Sequence, residues 1–554
     1  MNLYNLGVAG INAARIKLDT TGHNLNNVDT VGFNRQKALT STAGATLSGN
    51  GFIGRGVQID GVVRQYDDFR FRQLVTASST QSFYAAYAGQ IGQLNDLLAD
   101  KATGIHPALT KFFDSVDAVA SQPGMPATRQ EMLGQAQSLV TQINEANRFL
   151  NNQRDDLNTQ IQTTVEQINS YVERINDVNK QIVSAKATAR DGQHPNDLYD
   201  QRDQLVSELN KLVDVNFTEE GSYFSLSIGN GQTLLSGERV YPLSAVRSAA
   251  DPSRTVIAYS SLNSSGGFNQ VELKEDLLKG GQLGGLLAFR RETIDSVQND
   301  LGRLATGLAL AFNAQHEKGL DSFGQPGGAF FNIANPVTLA SSRNAATTGP
   351  LQVQFADSGT TPANQALTGH DYELKYDGSA YTLTNLTTGQ THSPVTDNMV
   401  VDGVQYTLPT TASAGDSWQI QPVRHGARDL SLAITEPDKI AAADSAGGST
   451  NGENGLLLAK LRTERILGNG ALSPNDAYGR LINKVGVKTG EVQTANKSQQ
   501  NLVTQRLQAQ QDVSGVNQDE ELMSLMQFSD QYRAAAKLID VGSQLFDTLL
   551  GLRN

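Results

Sequence analysis

Near the C-terminal end of the chain, apolar or small residues recur at alternating steps of three and four. Leu525, Phe528, Tyr532, Ala535, Ile539, Gly542, Phe546 and Leu549 form an unbroken a/d seam over four heptads. Asn517, with Glu520 three residues later, predicts a variant capping box at the start of this helix. Asp519, Glu520 and Glu521 place negative charge in its first turn, where the helix dipole favours it. Burying each large side chain of the seam is worth roughly 1.5–3 kcal/mol. A helix alone in water leaves that unrealised and is marginal. The seam therefore requires partner helices, in this chain or in another subunit.

The N-terminus offers one. Leu6, Ala9, Ala13, Ile16 and Thr20 fall on one helical face, and Leu3, Leu6, Gly10 and Ala13 form an overlapping seam. Its small residues permit close approach and match Ala535 and Gly542 at the other end; an ordinary amphipathic helix is the plainer expectation. Residues 67–190 are mostly helical, broken at Pro107, Pro123 and Pro126. Beyond Ala127, Leu157, Ile161, Thr164, Ile168, Tyr171, Ile175, Val178 and Ile182 keep heptad spacing, which predicts a long packed helix. Asp197 is the predicted cap of the helix that follows. From Asn216 the period changes to two, punctuated by glycine, as in β-hairpins. Helix returns at 277–318, a second alternating region spans 332–435, and helix resumes after Pro437.

The expected architecture is α+β and multidomain: a long discontinuous helical rod, coiled-coil-like and built from both ends of the chain, with two inserted all-β regions. The expected division is 1–40 with 514–554 as terminal helices, and 41–216 with 272–331 and 436–513 as the rod. Residues 217–271 are a small β insertion and 332–435 an outer β domain, sandwich or barrel, with Trp418 in its core. The order is nested, so the termini meet if their seams pair and the β regions project outward from the rod.

Composition narrows the function. The net charge is −12 and the sequence pI about 5.1, which argues against nucleic acid, since phosphate binding needs clustered Lys and Arg. No apolar run approaches the roughly 18 residues of a membrane span. There is no cysteine, which excludes disulfides and thiolate chemistry. No basic segment leads into an apolar core at the N-terminus, so any export would use a route without such a signal. Gly49, Gly51 and Gly54 match a dinucleotide fingerprint, but a strand follows instead of a phosphate-facing helix. His316-Glu317 begins a zinc-protease motif that Leu320 leaves incomplete. Asp371, Glu373, Asp377 and Asp416 are acidic, but nothing pairs them at the separation glycoside hydrolysis needs. No cofactor or metal site is expected. The sequons at Asn216, Asn263, Asn385 and Asn496 are read as chance.

Residues 21–36, TGHNLNNVDTVGFNRQ, read on chemistry alone as a polar connector leaving the first helix. The segment also resembles the N-terminal signature of the flagellar rod, hook and hook-associated axial proteins. Asn24, Asn27, Thr30, Gly32, Arg35 and Gln36 match that pattern, Leu25 and Phe33 are conservative variants, and His23, Asn26 and Asp29 depart from it. GVQIDGVVRQYDDFRFRQL, PNDLYDQRDQLVSELNKLV, residues 280–331 and the ending SGVNQDEE are similar to the hook–filament junction members of that family. The resemblance implies a structural adaptor of the bacterial flagellum, secreted through the type III export apparatus and assembled at the hook tip. Its implied partners are copies of itself, the hook protein, the next junction protein and a cognate export chaperone, held on the C-terminal helix. No nucleic acid and no membrane insertion are implied. Another axial protein, a hook or rod subunit, and more remotely a filament-associated enzyme in the outer β domain, remain alternatives.

Overall fold

The computed structural model describes residues 3–48, 51–98, 104–189, 193–221, 223–229, 231–262 and 268–551. Its helices are α1 (Leu3–Asn26), α2 (Asp68–Leu98), α3 (Ile105–Ser121), α4 (Pro126–Thr188), α5 (Asn196–Leu212), α6 (Gly281–Phe289) and α7 (Asp295–His316). One-turn helices α8 (Ala363–Ala366) and α9 (Gly426–Asp429) precede α10 (Glu453–Lys460), α11 (Pro474–Ser514) and α12 (Gln518–Gly551). The heptad run became α4, 63 residues long, or roughly 95 Å at 1.5 Å per residue. Pro126 sits at its first position, where a missing N–H costs nothing. Of the predicted heptad positions, Tyr171 alone is only half-buried and the others are buried. α11 starts with a complete capping box, Ser473 with Asp476.

The rod core runs through α2–α7, α10 and α11. The first β region does not project from it. Val215–Glu220, Tyr223–Ile228, Gln232–Ser236 and Arg239–Val240 form one antiparallel sheet, and Leu243–Arg247, Thr255–Leu262 and Phe268–Glu272 another. Their alternate residues Phe217, Phe224, Leu226, Ile228 and Leu235 join the same apolar core as the Ile and Val seam of α4. A small sheet alone is marginal in water, and this one is stabilised by lying along the rod.

The second β region has its own core. A five-stranded antiparallel sheet runs in the order Val337–Ala340, Ser417–Gln421, Tyr372–Tyr376, Tyr381–Asn385, Thr391–Val395. A three-stranded sheet of Gln352–Phe355, Val404–Thr407 and Met399–Val401 shares its apolar cluster, so the domain is a sandwich. Trp418, 1% exposed, lies in that core. Among the described residues, neither α1 nor α12 contributes a side chain to the rod core or the outer core.

Candidate functional site

α1 and α12 lie antiparallel against each other, and small residues set how closely. A Cβ on Gly7 would sit 2.5 Å from Ile539 Cγ1 and 3.0 Å from the Ala535 carbonyl oxygen. One on Gly10 would be 3.0 Å from Ala535 Cβ, and one on Gly542 3.1 Å from the Tyr4 backbone nitrogen. Further along, the Lys17 ammonium lies 5.3 Å from the centre of the Phe528 ring. The contact face of α1 thus includes Gly7, which the stripe read from the sequence passed over. Leu6 and Ala9 turn instead toward Gly56, whose Cβ would lie 3.0 Å from Leu6 Cδ1.

Along α12, Ala535 and Gly542 are buried, Leu525, Phe528 and Ile539 are half-buried, and Tyr532 and Phe546 are 40% and 56% exposed. One narrow partner helix does not cover a four-heptad seam. The Leu549 side chain lies outside the described residues. Met523, Met526, Leu545 and Phe546 on α12, with Tyr4 on α1, leave large apolar surface uncovered. The cap at Asn517 is half of the predicted box. Its Oδ1 accepts the Asp519 and Glu520 backbone N–H groups at 3.0 and 3.3 Å. Glu520 turns away to Arg35 Nη1, 3.0 Å, because a cation from the other end of the chain competes for its carboxylate.

Arg35 belongs to a polar knot beneath the pair. After α1, Gly32 turns the chain at φ +84°, a conformation glycine adopts without strain. The chain then enters the ribbon of β1 (Gln36–Thr42), which continues as the β2 (Ala45–Ser48)–β3 (Gly51–Gly54) hairpin and returns as β4 (Val57–Arg64). Asn24 clamps this exit. It accepts from the Gln36 N–H and donates to the Gln36 carbonyl, both 2.9 Å, and its amide also reaches Glu521 at 3.2 Å. Arg35 donates from Nε to Glu521 Oε1 at 2.6 Å and from its backbone to Ser514 at 2.8 Å. Asn27 bonds the His23 carbonyl, Thr30 bonds Asn27, and Phe33 meets the His23 ring edge-on at 5.4 Å. Leu25 is half-buried.

The knot ties down to α5. Asn34 donates twice to Asp200, at 2.9 and 2.6 Å, and Gln36 Nε2 donates to Asp197 at 2.7 Å. Asp197 therefore serves as a partner of Gln36; the residue before α5 is Pro195, and no side chain caps that helix. Arg64 bonds Asp200 and Asp203 at 2.9 and 2.6 Å. Burial raises both carboxyls, with Arg64 pulling the other way; burial likewise opposes the guanidinium charge, but the two carboxylates hold it above its usual value. The terminal pair is thus joined to the rod through directional polar contacts. Sequence reasoning singled out Asn24, Arg35 and Gln36 but missed Asn34, Arg64, Asp200 and Asp203, and read Glu521 only as charge in the first turn of α12.

Glu521 is 2% exposed and accepts from two residues of the motif. Glu521→Ala should leave those donors unsatisfied, costing roughly 2–3 kcal/mol. Amide exchange over 518–525 should then rise roughly 30- to 150-fold, taking about 1.4 kcal/mol per factor of ten. Unchanged protection there would mean that the knot does not hold α12.

The other candidates resolve into structural roles. Gly51 and Gly54 lie in strand β3, while Gly49 lies outside the described residues. His316 is 0% exposed; its Nδ1 lies 2.7 Å from the Gly328 carbonyl and its Nε2 accepts the Ala441 N–H at 2.9 Å. Both nitrogens are used in the neutral tautomer, and burial holds the pKa below 6.5. Asp377 accepts turn N–H groups from Ser379 and Ala380, which bring it to about 2. Asp416 bonds Thr348, Ala345 and Ser413, and Asp371 pairs with Arg424. Among the described residues no three His, Cys, Asp or Glu are grouped to hold a metal, and no helix is long and apolar enough to cross a membrane.

His316 gives a pH dependence. Below about pH 6.5 the unfolded chain takes up a proton that the folded site refuses, so stability falls as pH drops, by about 1.4 kcal/mol per unit while only the unfolded histidine is charged. Melting at pH 5 should lie below that at pH 7, and His316→Gln should reduce the difference. An equal drop in the variant would assign it elsewhere.

A flagellar hook-associated protein FlgK helical domain matches residues 91–331, and a flagellar hook-associated protein 1 D2-like domain matches 339–422. Flagellar hook-associated protein 1 of Salmonella typhimurium is 37% identical over 563 residues, covering 100% of both chains. The chain belongs to the flagellar hook-associated protein 1 family. The Escherichia coli K12 relative is 34% identical and the Bacillus subtilis relative 24%, covering 100% and 98% of this chain and 100% and 96% of their own. The flagellar hook junction protein FlgK from Burkholderia pseudomallei has the same fold, with TM-score 0.72 and 27% identity over 80% of this chain and 100% of that one. The ends match different models: a flagella basal body rod protein over 5–34 and a flagellar basal body rod FlgEFG protein C-terminal domain over 509–552. Those two segments contain the α1–α12 pair and most of the motif. This chain therefore carries, beside a helical domain of its own family, terminal segments similar to those of basal-body rod proteins.

Proposed function

We propose that the protein is the structural adaptor joining hook to filament, and that it acts by assembly and without catalysis. The observation that carries this is the α1–α12 pair, closed by glycines on one side and left apolar on the other. Such a surface suits a subunit whose neighbours complete its packing. On this reading the motif residues Asn24 to Gln36 orient the pair, and the seam from Leu525 to Leu549 meets equivalent helices of neighbouring copies. The hook protein and the next junction protein lie on either side in the axial structure. A cognate chaperone covers the same C-terminal helix before type III export, and the assembled protein is extracellular.

Electron microscopy of a deletion strain tests the proposal. Hooks without filaments, with flagellin released to the medium, are expected. Loss of the hooks themselves would favour a hook or rod subunit, and normal filaments would overturn both.

A further inference from the structure

The outer sandwich meets the rod through charge as well as through apolar surface. Its core is separate from the rod core, with Leu310 of α7 packed against it. The returning chain crosses α7 at a close pair of glycines: a Cβ on Gly302 would lie 1.8 Å from the Val423 carbonyl oxygen, and one on Gly426 2.0 Å from Thr306 Oγ1. Beside this crossing Arg424, 3% exposed, pairs with Asp371 of its own domain. It also lies 3.4 Å from Asp295 on α7 and 3.9 Å from Asp251 of the first β region.

The network continues without a break. Arg254 of the first β region bonds Asp295 at 2.7 Å and Glu275 at 3.2 Å. Arg290 of the rod, 0% exposed, bonds Glu275 at 2.7 Å and the Asn158 oxygen of α4 at 3.1 Å. Arg290–Ile294 is a π-helical turn. Its i→i+5 closure places Arg290 and Asp295 on one face, where an α-helix would splay them apart. Arg154 of α4, its Nε buried without a hydrogen-bond partner, adds a fourth guanidinium whose charge burial and Arg424 oppose and Asp251 and Asp295 favour. Four arginines thus balance four carboxylates drawn from the rod, the first β region and the outer domain. The two β bodies also touch directly, through Arg343 with Glu272 at 2.8 Å and the Ser342 N–H with the Ala249 carbonyl at 2.9 Å.

Removing one partner from such a network leaves an uncompensated buried charge, whereas neutralising a pair can cost little. Charged hydrogen bonds are also directional, which apolar contact is not. We propose that this desolvated network is an orientation lock: it holds the outer β domain at one angle on the rod, and it makes that angle depend on the first β region.

The chain has no cysteine and one tryptophan, which makes the test direct. Nitroxide labels on Thr163→Cys of α4 and Thr391→Cys of the outer sheet, both exposed positions, report the angle by pulsed electron spin resonance. Trp418 fluorescence reports whether the outer domain stays folded. A single narrow distance is expected in the parent. Arg424→Met should broaden it about two-fold and lower the melting temperature. Arg424→Met with Asp371→Asn restores charge balance, so the melting temperature should recover while the distribution stays broad. Arg254→Met, which does not touch the outer domain, should broaden it too. A narrow parent-like distribution in the paired variant would overturn the lock and assign the angle to the glycine crossing. One confined to Arg254→Met would remove the dependence on the first β region.

Discussion

Gly7→Leu should separate the terminal helices and abolish filament growth, although it replaces a poor helix former with a good one. Helix propensity alone favours the change by about 1 kcal/mol, so any loss must come from packing. The new Cβ would meet Ile539 Cγ1 at 2.5 Å and the Ala535 carbonyl oxygen at 3.0 Å, and the leucine adds three further carbons beyond it. Ile539 can change rotamer; a backbone carbonyl inside α12 cannot. Overpacking of this kind costs about 1–3 kcal/mol, in a pair that draws nothing from the rod core. The expected outcome is a folded rod, faster amide exchange over 3–20 and 528–545, and non-motile cells. Gly7→Ala should fall between, since its Cβ meets the same Ile539 and Ala535 atoms but carries no carbons beyond it. A motile Gly7→Leu strain with protected termini would show that the approach at Gly7 is not required.

Gly7 also marks where sequence reading reached its limit. A period of three and four picks out large apolar residues, so it drew the α1 stripe through Leu6 and Gly10 and left Gly7 as a neutral position. The close approach became visible only once Ile539 was opposite. The same limit explains Tyr532 and Phe546. Periodicity says that a face is apolar, not that one partner is wide enough to cover it. Periods of 3.6 and 2 did recover the helical rod, the long α4 and the two β regions, because those patterns are local. The polar knot is not local: Asn34 and Asp200 are 166 positions apart, and Arg35 and Glu521 486. One signal was present, in the spacing of Asp197, Asp200 and Asp203, which places three carboxylates on one face of α5. Read beside the Asn- and Arg-rich exit of α1, that face points to the knot. Glu520 carries the same lesson, since the capping rule supplied a local partner and Arg35 supplied a stronger one.

Phe546→Asp should abolish motility while leaving the isolated chain unchanged. Gly542 faces Tyr4 and Leu3 at the start of the described α1, so among the described residues Phe546, one turn further, has no helix of this chain beside it. It is 56% exposed, and a substitution at such a position usually moves stability by within about 0.5 kcal/mol. In an assembly that buries it, the change removes roughly 2–3 kcal/mol of apolar contact and adds the cost of desolvating a carboxylate. At about 1.4 kcal/mol per factor of ten, association weakens at least 30- to 150-fold. Ile539→Asp makes the contrast. Ile539 packs over Gly7, so its replacement should open the pair inside the monomer as well as block assembly. Exchange over 3–20 separates the two variants, since it should rise in Ile539→Asp and stay at the parent rate in Phe546→Asp. If Phe546→Asp cells swim, the uncovered face of α12 does not carry the contact between subunits, and the exposed face of α1 becomes the surface to test.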